Sequence, residues 1–317
     1  MIEVIVTNKN READDIISLE LARADGNLLP PFEPGSHIDV HLPNGLTRQY
    51  SLCNPSNDQT RYRLCILKEP ASRGGSDFLH TRTEVNQRLS ISEPRNLFPM
   101  VPDAKRTLLF AGGIGITPLL CMADALADAQ ADFELHYSGK SLNRMAFVEQ
   151  IMQGRFADRT HLHISDSQPS QRLDVEPLLA HPQAGTHLYV CGPDRYMDYV
   201  LNSAARLGWP SAQLHREYFS AAPTTDQKSG CFEIEIKSTG QILEVPADRT
   251  ALQILEEAGF YIPVSCEEGV CGTCLTRVLS GDPEHRDRFL SEQERAANDQ
   301  FTPCCSRSRN GRLVLDL

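Results

Sequence analysis

The chain lacks an excess of positive charge: 31 Lys and Arg stand against 42 Asp and Glu, a net charge of −11 over 317 residues. That balance argues against nucleic acid and anionic membrane as partners, because both are bound through basic surfaces. It also lacks a basic start followed by an apolar core, since the opening MIEVIVTNKNREADD mixes charged and apolar residues throughout. With no secretory signal, a reducing cytoplasm is the expected compartment. A clean membrane span is missing as well. The best candidate, residues 107–127, carries Gly112, Gly113, Gly115 and Pro118 at its centre and Asp124 near its end. It reads as a buried strand, a loop and the start of a helix. Internal repeats and low-complexity tracts are absent, and the length allows two or three domains.

Cysteine is not scarce, but the ten present do not form the dense framework of a small secreted protein. Cys65, Cys121 and Cys231 stand singly and are expected as buried small hydrophobes. The informative set is Cys266, Cys271 and Cys274, spaced C-x4-C-x2-C, with Cys304 thirty positions further on. Four thiolates in that plant-type arrangement hold the two irons of a 2Fe-2S cluster. Gly269 and Gly272, set between the cysteines, let a tight loop bring its backbone close to a ligand. Zinc sites instead use separate C-x2-4-C knuckles, which this triplet matches poorly. Cys304 is followed directly by Cys305. In an extended segment adjacent side chains point to opposite faces, so one of the two faces inward.

Taken in order, the first hundred residues alternate apolar and polar over 2–7, 16–21, 38–42 and 61–67, separated by turn signals such as Asp25-Gly26, Pro34-Gly35 and Asn44-Gly45. Short strands at that spacing predict an antiparallel β-barrel over residues 1–102. Within it, Arg48, Gln49, Tyr50 and Ser51 lie on one strand, with Arg48 and Tyr50 facing one side and Gln49 and Ser51 the other. Further on, Gly74, Gly75 and Ser76 run into a short helix at 77–80. A glycine turn at a helix N-terminus is either a phosphate cradle or a flexible hairpin loop. From residue 103 the pattern becomes strand and helix in alternation, which predicts a parallel sheet with helices on both faces over 103–222. The loop Gly112-Gly113-Ile114-Gly115-Ile116-Thr117-Pro118 follows the first strand, with Pro118 standing where a dinucleotide fingerprint has its third glycine. Glu134 falls inside the second strand and is not expected to read a ribose. Cys191-Gly192-Pro193 ends the fourth strand, so both loops sit where an open α/β sheet binds its ligand. Cys191 itself reads equally as a buried strand-end thiol. A last strand is expected over 214–219, ending in Tyr218 and Phe219. Residues 221–230 read as a linker, and 229–317 as a compact α+β unit with a hairpin, a helix at 250–258 and a capping box opening at Ser291.

A cluster carries single electrons, whereas a dinucleotide delivers them in pairs, so a converter is required between the two. A flavin performs that conversion, and a phosphate-binding barrel is where it would sit. The ordered strings RQYS, RGGS, AGGIGITP, YVCGP, SCEEGVCGTC and FTPCCSRS, which span the whole chain, resemble the phthalate dioxygenase reductase family. The resemblance implies FMN on the barrel, NADH on the central domain and a C-terminal β-grasp ferredoxin domain. It further implies Arg48, Gly74, Gly75 and Ser76 at the FMN phosphate, Tyr50 on the flavin ring with Gln49 beside it, and Ser51 near its N5. Gly113, Ile114, Gly115 and Thr117 would line the pyrophosphate, Cys191, Gly192 and Pro193 the nicotinamide, and Phe219 would cover the flavin. The family's fourth ligand precedes a variable residue and Ser-Arg, which maps onto Cys304. Ser138-Gly139-Lys140 departs from the family's usual pair ending in arginine, at the place where adenosine is read. The partner implied is a Rieske-type terminal oxygenase, with the reductase a monomer. The aromatic substrate is not written in this chain, and the same module would serve oxygenases of phthalate, phenoxybenzoate or a quaternary amine, or act as a flavin and iron-sulfur redox sensor. Glu256, Glu257, Glu267, Glu268, Asp282 and Glu284 around the cluster loop are either a solvated face or a docking patch.

Overall fold

The computed structural model describes residues 1–70, 72–169, 171–220 and 230–317; apart from Gly230, the expected linker lies outside the described residues. Two compact units are formed, Met1–Glu217 and Tyr218–Leu317. Among the described residues no helix is long and apolar enough to cross a membrane.

The first unit opens with β1 (Ile2–Ala13), β2 (Ile16–Arg23), β3 (Ser36–His41), β4 (Thr47–Ser51) and β5 (Tyr62–Leu67), then α1 (Gly75–Thr81), β6 (Arg88–Ile91) and β7 (Arg95–Asn96). Every pairing is antiparallel, in the order β4-β3-β6-β1-β2-β5, with β7 on β3. The two outer strands meet where Cys53 N–H donates to Arg63 O at 2.9 Å and Arg63 N–H to Asn54 Oδ1 at 2.8 Å, which curls the sheet into the expected barrel. The period-2 pattern explains the interior. Val4, Val6, Leu19, Leu21, Ile38 and Val40 all point inward into one core. Lys9 Nζ reaches Leu79 O, His80 O and Thr83 O at 2.7–3.1 Å and so caps the carbonyl end of α1.

The chain then builds β8 (Arg106–Gly112), α2 (Ile116–Asp128), β9 (Phe133–Gly139), α3 (Val148–Met152), β10 (Thr160–Ile164), α4 (Glu176–Leu179), β11 (Thr186–Cys191), α5 (Asp194–Arg206) and β12 (Leu214–Glu217). All strands of this sheet are parallel, in the order β10-β9-β8-β11-β12. The chain leaves β8 first to one side and then to the other, so the switch point lies between β8 and β11. β8 is buried on both faces, which is why it reads as a continuous apolar run. On α5, Met197, Val200 and Ala204 recur at helical spacing and face inward. The crossovers after β9 and β10 carry only the short helices α3 and α4. The strand expected to run to Phe219 stops at Glu217, because β11 ends at Cys191, its register partner, and leaves Tyr218 and Phe219 without a ladder.

The second unit contains β13 (Phe232–Ile236), β14 (Ile242–Val245), α6 (Ala251–Glu257), β15 (Thr276–Glu284), α7 (Glu292–Ala297), β16 (Gln300–Phe301) and β17 (Arg307–Leu315). The order is β14-β13-β17-β15-β16, with β13 and β17 parallel and the rest antiparallel. Both helices open on capping boxes, Thr250 with Gln253 and Ser291 with Glu294. Cys231, expected to be buried, is exposed. Phe232 takes the inward position at the start of β13, and alternation turns its neighbour outward. Arg307 ties the unit together: its guanidinium donates to Arg249 O, Gly230 O, Pro246 O and Val245 O at 2.8–3.4 Å and lies over the Phe232 ring at 4.9 Å. Arg307→Met is expected to cost ~3 kcal/mol or more, since these buried carbonyls lose a charged donor. A lowered urea midpoint of cluster absorbance would register it, and an unchanged midpoint would count against the role.

Candidate functional site

In the second unit Cys266, Cys271, Cys274 and Cys304 are all at most 8% exposed. Cys266 interacts with Cys271, and Cys304 with both Cys274 and Cys305. The Cys266 hydrogen bond holds the Cys271 thiol down at about 5, while Cys266 is pushed up. A thiolate is the form that binds metal. Four cysteines can supply the thiolates that two irons require. The backbone points the same way, with Glu268 N–H donating to Cys266 Sγ at 3.3 Å and Thr273 N–H to Cys271 Sγ at 3.4 Å. A β-carbon on Gly269 would stand 2.4 Å from Cys305 Sγ, and one on Gly272 2.4 Å from the Phe289 ring. The residues present therefore fit a 2Fe-2S cluster.

Three tethers position these thiols. Leu252 N–H, in the first turn of α6, donates to Pro303 O at 2.9 Å and holds the residue before Cys304. Residues 302–306 form a turn closed by Thr302 O, which accepts from Cys305 N–H at 3.2 Å and Ser306 N–H at 2.9 Å. That corrects the extended segment assumed from sequence. Within the turn Cys304 meets both Cys274 and Cys305, and Cys305 also lies beside Thr302 Oγ1 at 3.3 Å. Asp287, fully missed by sequence reading, is buried against Gly269, and its carboxylate accepts from the N–H groups of Phe289 and Leu290 at 3.1 and 2.7 Å.

In the first unit the register pairs Ser51 with His37, Tyr50 with Ile38, Gln49 with Asp39 and Arg48 with Val40. Directly opposed residues share a face, so Arg48 and Tyr50 lie on one side of β4 and Gln49 and Ser51 on the other. Gln49 Nε2 donates to Asp39 Oδ1 at 3.0 Å, and Arg95 Nη2 also reaches that carboxylate at 2.7 Å. Arg48 packs on Gly75, where a β-carbon would come within 2.6 Å of its Cγ. Gly74 caps α1 with φ 98°. Ser76 Oγ accepts from Glu69 N–H at 3.2 Å and donates to Ser72 Oγ at 3.1 Å, so the loop is internally braced. Burial raises the Tyr50 hydroxyl well above its ordinary range and keeps it neutral.

Two further groups flank Ser51. Neither His37 ring nitrogen has a partner among the described residues, and burial, with Arg95 nearby, holds the imidazole down at about 4. Glu217, at the end of β12, is hydrogen-bonded to Ser51, and burial pushes its carboxyl up to about 8 against that bond. Its Oε2 is sealed from water and unpartnered. These orphaned polar atoms and the Arg48–Gly75 contact fit a polar cofactor at this barrel edge. Sequence reading passed over both residues. For Glu217 a signal existed, an acid closing the last strand of the sheet beside Cys191.

The glycine loop and the end of β11 abut at the switch point. A β-carbon on Gly115 would fall 2.2 Å from Cys191 O, and one on Gly192 2.9 Å from Gly112 Cα. Gly113 takes φ 54°, and Thr117 Oγ1 donates to Ile114 O at 3.1 Å. Cys191 is fully buried, and burial keeps its thiol protonated. Pro193 caps α5. Glu134 pairs with Arg106 at 2.5 Å within the sheet. Phe219 belongs to the second unit and is 43% exposed.

A barrel edge with orphaned polar groups, a glycine loop at the switch point of a parallel sheet, and four buried thiols define a modular electron-transfer oxidoreductase ending in a plant-type ferredoxin domain. Residues 234–309 match the 2Fe-2S iron-sulfur cluster binding domain family. Residues 92–214 match the N-terminal domain of dimethylamine monooxygenase subunit DmmA-like proteins. The chain is 56% identical over 317 residues, all of both chains, to a vanillate O-demethylase oxidoreductase of Pseudomonas sp. (strain HR199). It is 35% identical to phthalate dioxygenase reductase, described as a modular structure for electron transfer from pyridine nucleotides to 2Fe-2S, covering 99% of this chain and 97% of that one at a TM-score of 0.79. An intact type IV self-sufficient cytochrome P450 monooxygenase matches 100% of this chain with 41% of its own, at 38% identity and a TM-score of 0.86. The chain belongs to the phthalate dioxygenase reductase family.

Cys304→Ser is expected to lose or weaken the visible cluster absorbance while NADH-dependent ferricyanide reduction persists; Cys305→Ser should retain both absorbance and cytochrome c reduction. The reverse outcome would exchange the two roles. Glu217 offers a pH test. Its carboxyl shifts from an ordinary 4.5 to about 8 on folding, so the folded state holds the extra proton between those values and stability falls as pH rises through that window. Glu217→Gln should flatten this decline, measured as urea midpoints at pH 5 and pH 8.5. An equal decline in both proteins would argue against the buried acid.

Proposed function

We propose that this chain is the reductase component of a two-component Rieske aromatic oxygenase of the vanillate O-demethylase kind, a monomer working in the cytoplasm. The observation that carries the reading is the 56% identity, end to end, with a vanillate O-demethylase oxidoreductase. Residues 1–102 would hold FMN, 103–222 NADH and 229–317 the cluster. When bound, FMN would take an electron pair from NADH as one hydride and release the electrons singly, and the 2Fe-2S cluster would carry them one at a time to the oxygenase.

The chain's own residues supply binding and orientation. Arg48, with Gly74, Gly75 and Ser76, would hold the FMN phosphate, the close Arg48–Gly75 contact presetting the guanidinium. Tyr50 would pack on the ring, while Gln49 braces the strand through Asp39. Ser51 would hydrogen-bond the flavin beside N5, backed by the Glu217 carboxyl, which is protonated at neutral pH. Gly113, Ile114, Gly115 and Thr117 would receive the NADH pyrophosphate on backbone N–H groups, the positive end of α2 behind them. Cys191, Gly192 and Pro193 would form the floor beneath the nicotinamide. Cys266, Cys271, Cys274 and Cys304 would ligate the irons.

A second reading, service to a terminal oxygenase of another kind, draws on the 38% identity with a self-sufficient cytochrome P450. Purified holoprotein, NADH and the oxygenase component of a vanillate O-demethylase should together consume vanillate, with steady cytochrome c reduction in the oxygenase's absence. Turnover with a phthalate oxygenase but not with the vanillate enzyme would favour the second reading. Cytochrome c reduced once without turnover would make the chain a redox sensor. Ser51→Ala should keep FMN yet slow its reduction by NADH roughly 5- to 100-fold, for a lost hydrogen bond of ~1–3 kcal/mol; an unchanged stopped-flow rate would remove Ser51 from the site.

A further inference from the structure

The segment leading into the first cluster ligand exposes apolar side chains that the fold does not require outside. Residues 260–264 are irregular backbone between α6 and the cysteine loop. Ile262 turns inward and is 4% exposed, which pins the segment to the core. Its neighbours are turned out: Tyr261 is 87% exposed, Val264 37%, and Pro263 is exposed between them. Scattered surface hydrophobes need no explanation, but a contiguous apolar strip rimmed by polar groups marks an interaction site. This strip ends two residues before Cys266, which is buried, and so adjoins the loop that would hold the cluster. Exposed Glu256 and Glu267 flank it on either side in the chain, in a protein of net charge −11.

We propose that Tyr261, with Pro263 and Val264, is the apolar anchor by which the ferredoxin unit docks its terminal oxygenase, the partner presenting an apolar seat ringed by lysine and arginine. The proposal rests on the reading of the chain as an oxygenase reductase and names the surface that reading leaves open. An exposed tyrosine suits the task because it brings a large, rigid ring with few rotamers to lose, and truncating such anchors accounts for most of an interface's affinity. The flanking carboxylates would steer the approach and set its salt dependence, with the ring holding the docked pair.

The test compares wild type, Tyr261→Ser and Tyr261→Phe as holoproteins, with the oxygenase component of a vanillate O-demethylase as the probe. Tyr261→Ser should raise the KM for the oxygenase roughly tenfold or more, and Tyr261→Phe should restore most of it. Ferricyanide reduction, cluster absorbance and single-turnover reduction of the cluster by NADH, without oxygenase, should not change. An unaltered KM in Tyr261→Ser would overturn the docking role, as would an equal slowing of cluster reduction without oxygenase, which would assign the strip to the chain's own electron relay. A wild type that turns over cytochrome c but never reduces the oxygenase would overturn the functional reading underneath.

Discussion

Backbone pressed too close for a β-carbon is the constraint shared by the three candidate sites. Gly75 lies against the Arg48 side chain, Gly115 against the Cys191 carbonyl, and Gly269 against Asp287 and Cys305. At each place a methyl group would enter another residue's van der Waals shell and force apart the elements that frame the site. A cofactor held by backbone N–H groups needs such proximity, because the donors must reach it directly. The surrounding fold keeps these contacts tight. β8 is buried on both faces, Arg307 gathers four carbonyls around the edge of the second unit, and the N-terminal turn of α6 secures the residue before Cys304.

Polar groups are buried where the chemistry is expected, and at a cost that packing alone would not accept. An unpaired buried donor or acceptor costs about 1–3 kcal/mol. The His37 ring and Glu217 Oε2 both incur that cost beside Ser51. Arg307 and Asp287 are buried too, but each is matched to several backbone partners and serves to hold the chain. His37 and Glu217 lie at the barrel edge that the RQYS string marks by pattern.

Charge is distributed by role as well. The Cys271 and Cys274 thiols are held down by neighbouring cysteines, while Cys191 and Tyr50 are kept neutral by burial. Glu217 stays protonated at neutral pH for the same reason. Glu256, Glu257 and Glu267 near the cluster loop remain exposed, where they do not raise the cost of folding and can steer a basic partner.

Local patterns in the sequence determined the barrel, the parallel sheet, the capping box at Ser291 and the four cysteines, because period-2 alternation, strand-loop-helix order and thiol spacing are all short-range signals. The same signals erred where a decision depended on neighbours distant in the chain. Cys231 is exposed because Phe232 holds the inward position, the last strand of the first unit stops at Glu217 because its partner strand stops at Cys191, and residues 302–306 form a turn where an extended segment was assumed. Which thiols interact, which carboxyl meets Ser51 and which ring nitrogens go without a partner were decided by the tertiary structure alone. Those contacts join residues up to about 170 positions apart, Ser51 and Glu217 among them, and only the packing of separate elements brings such residues together.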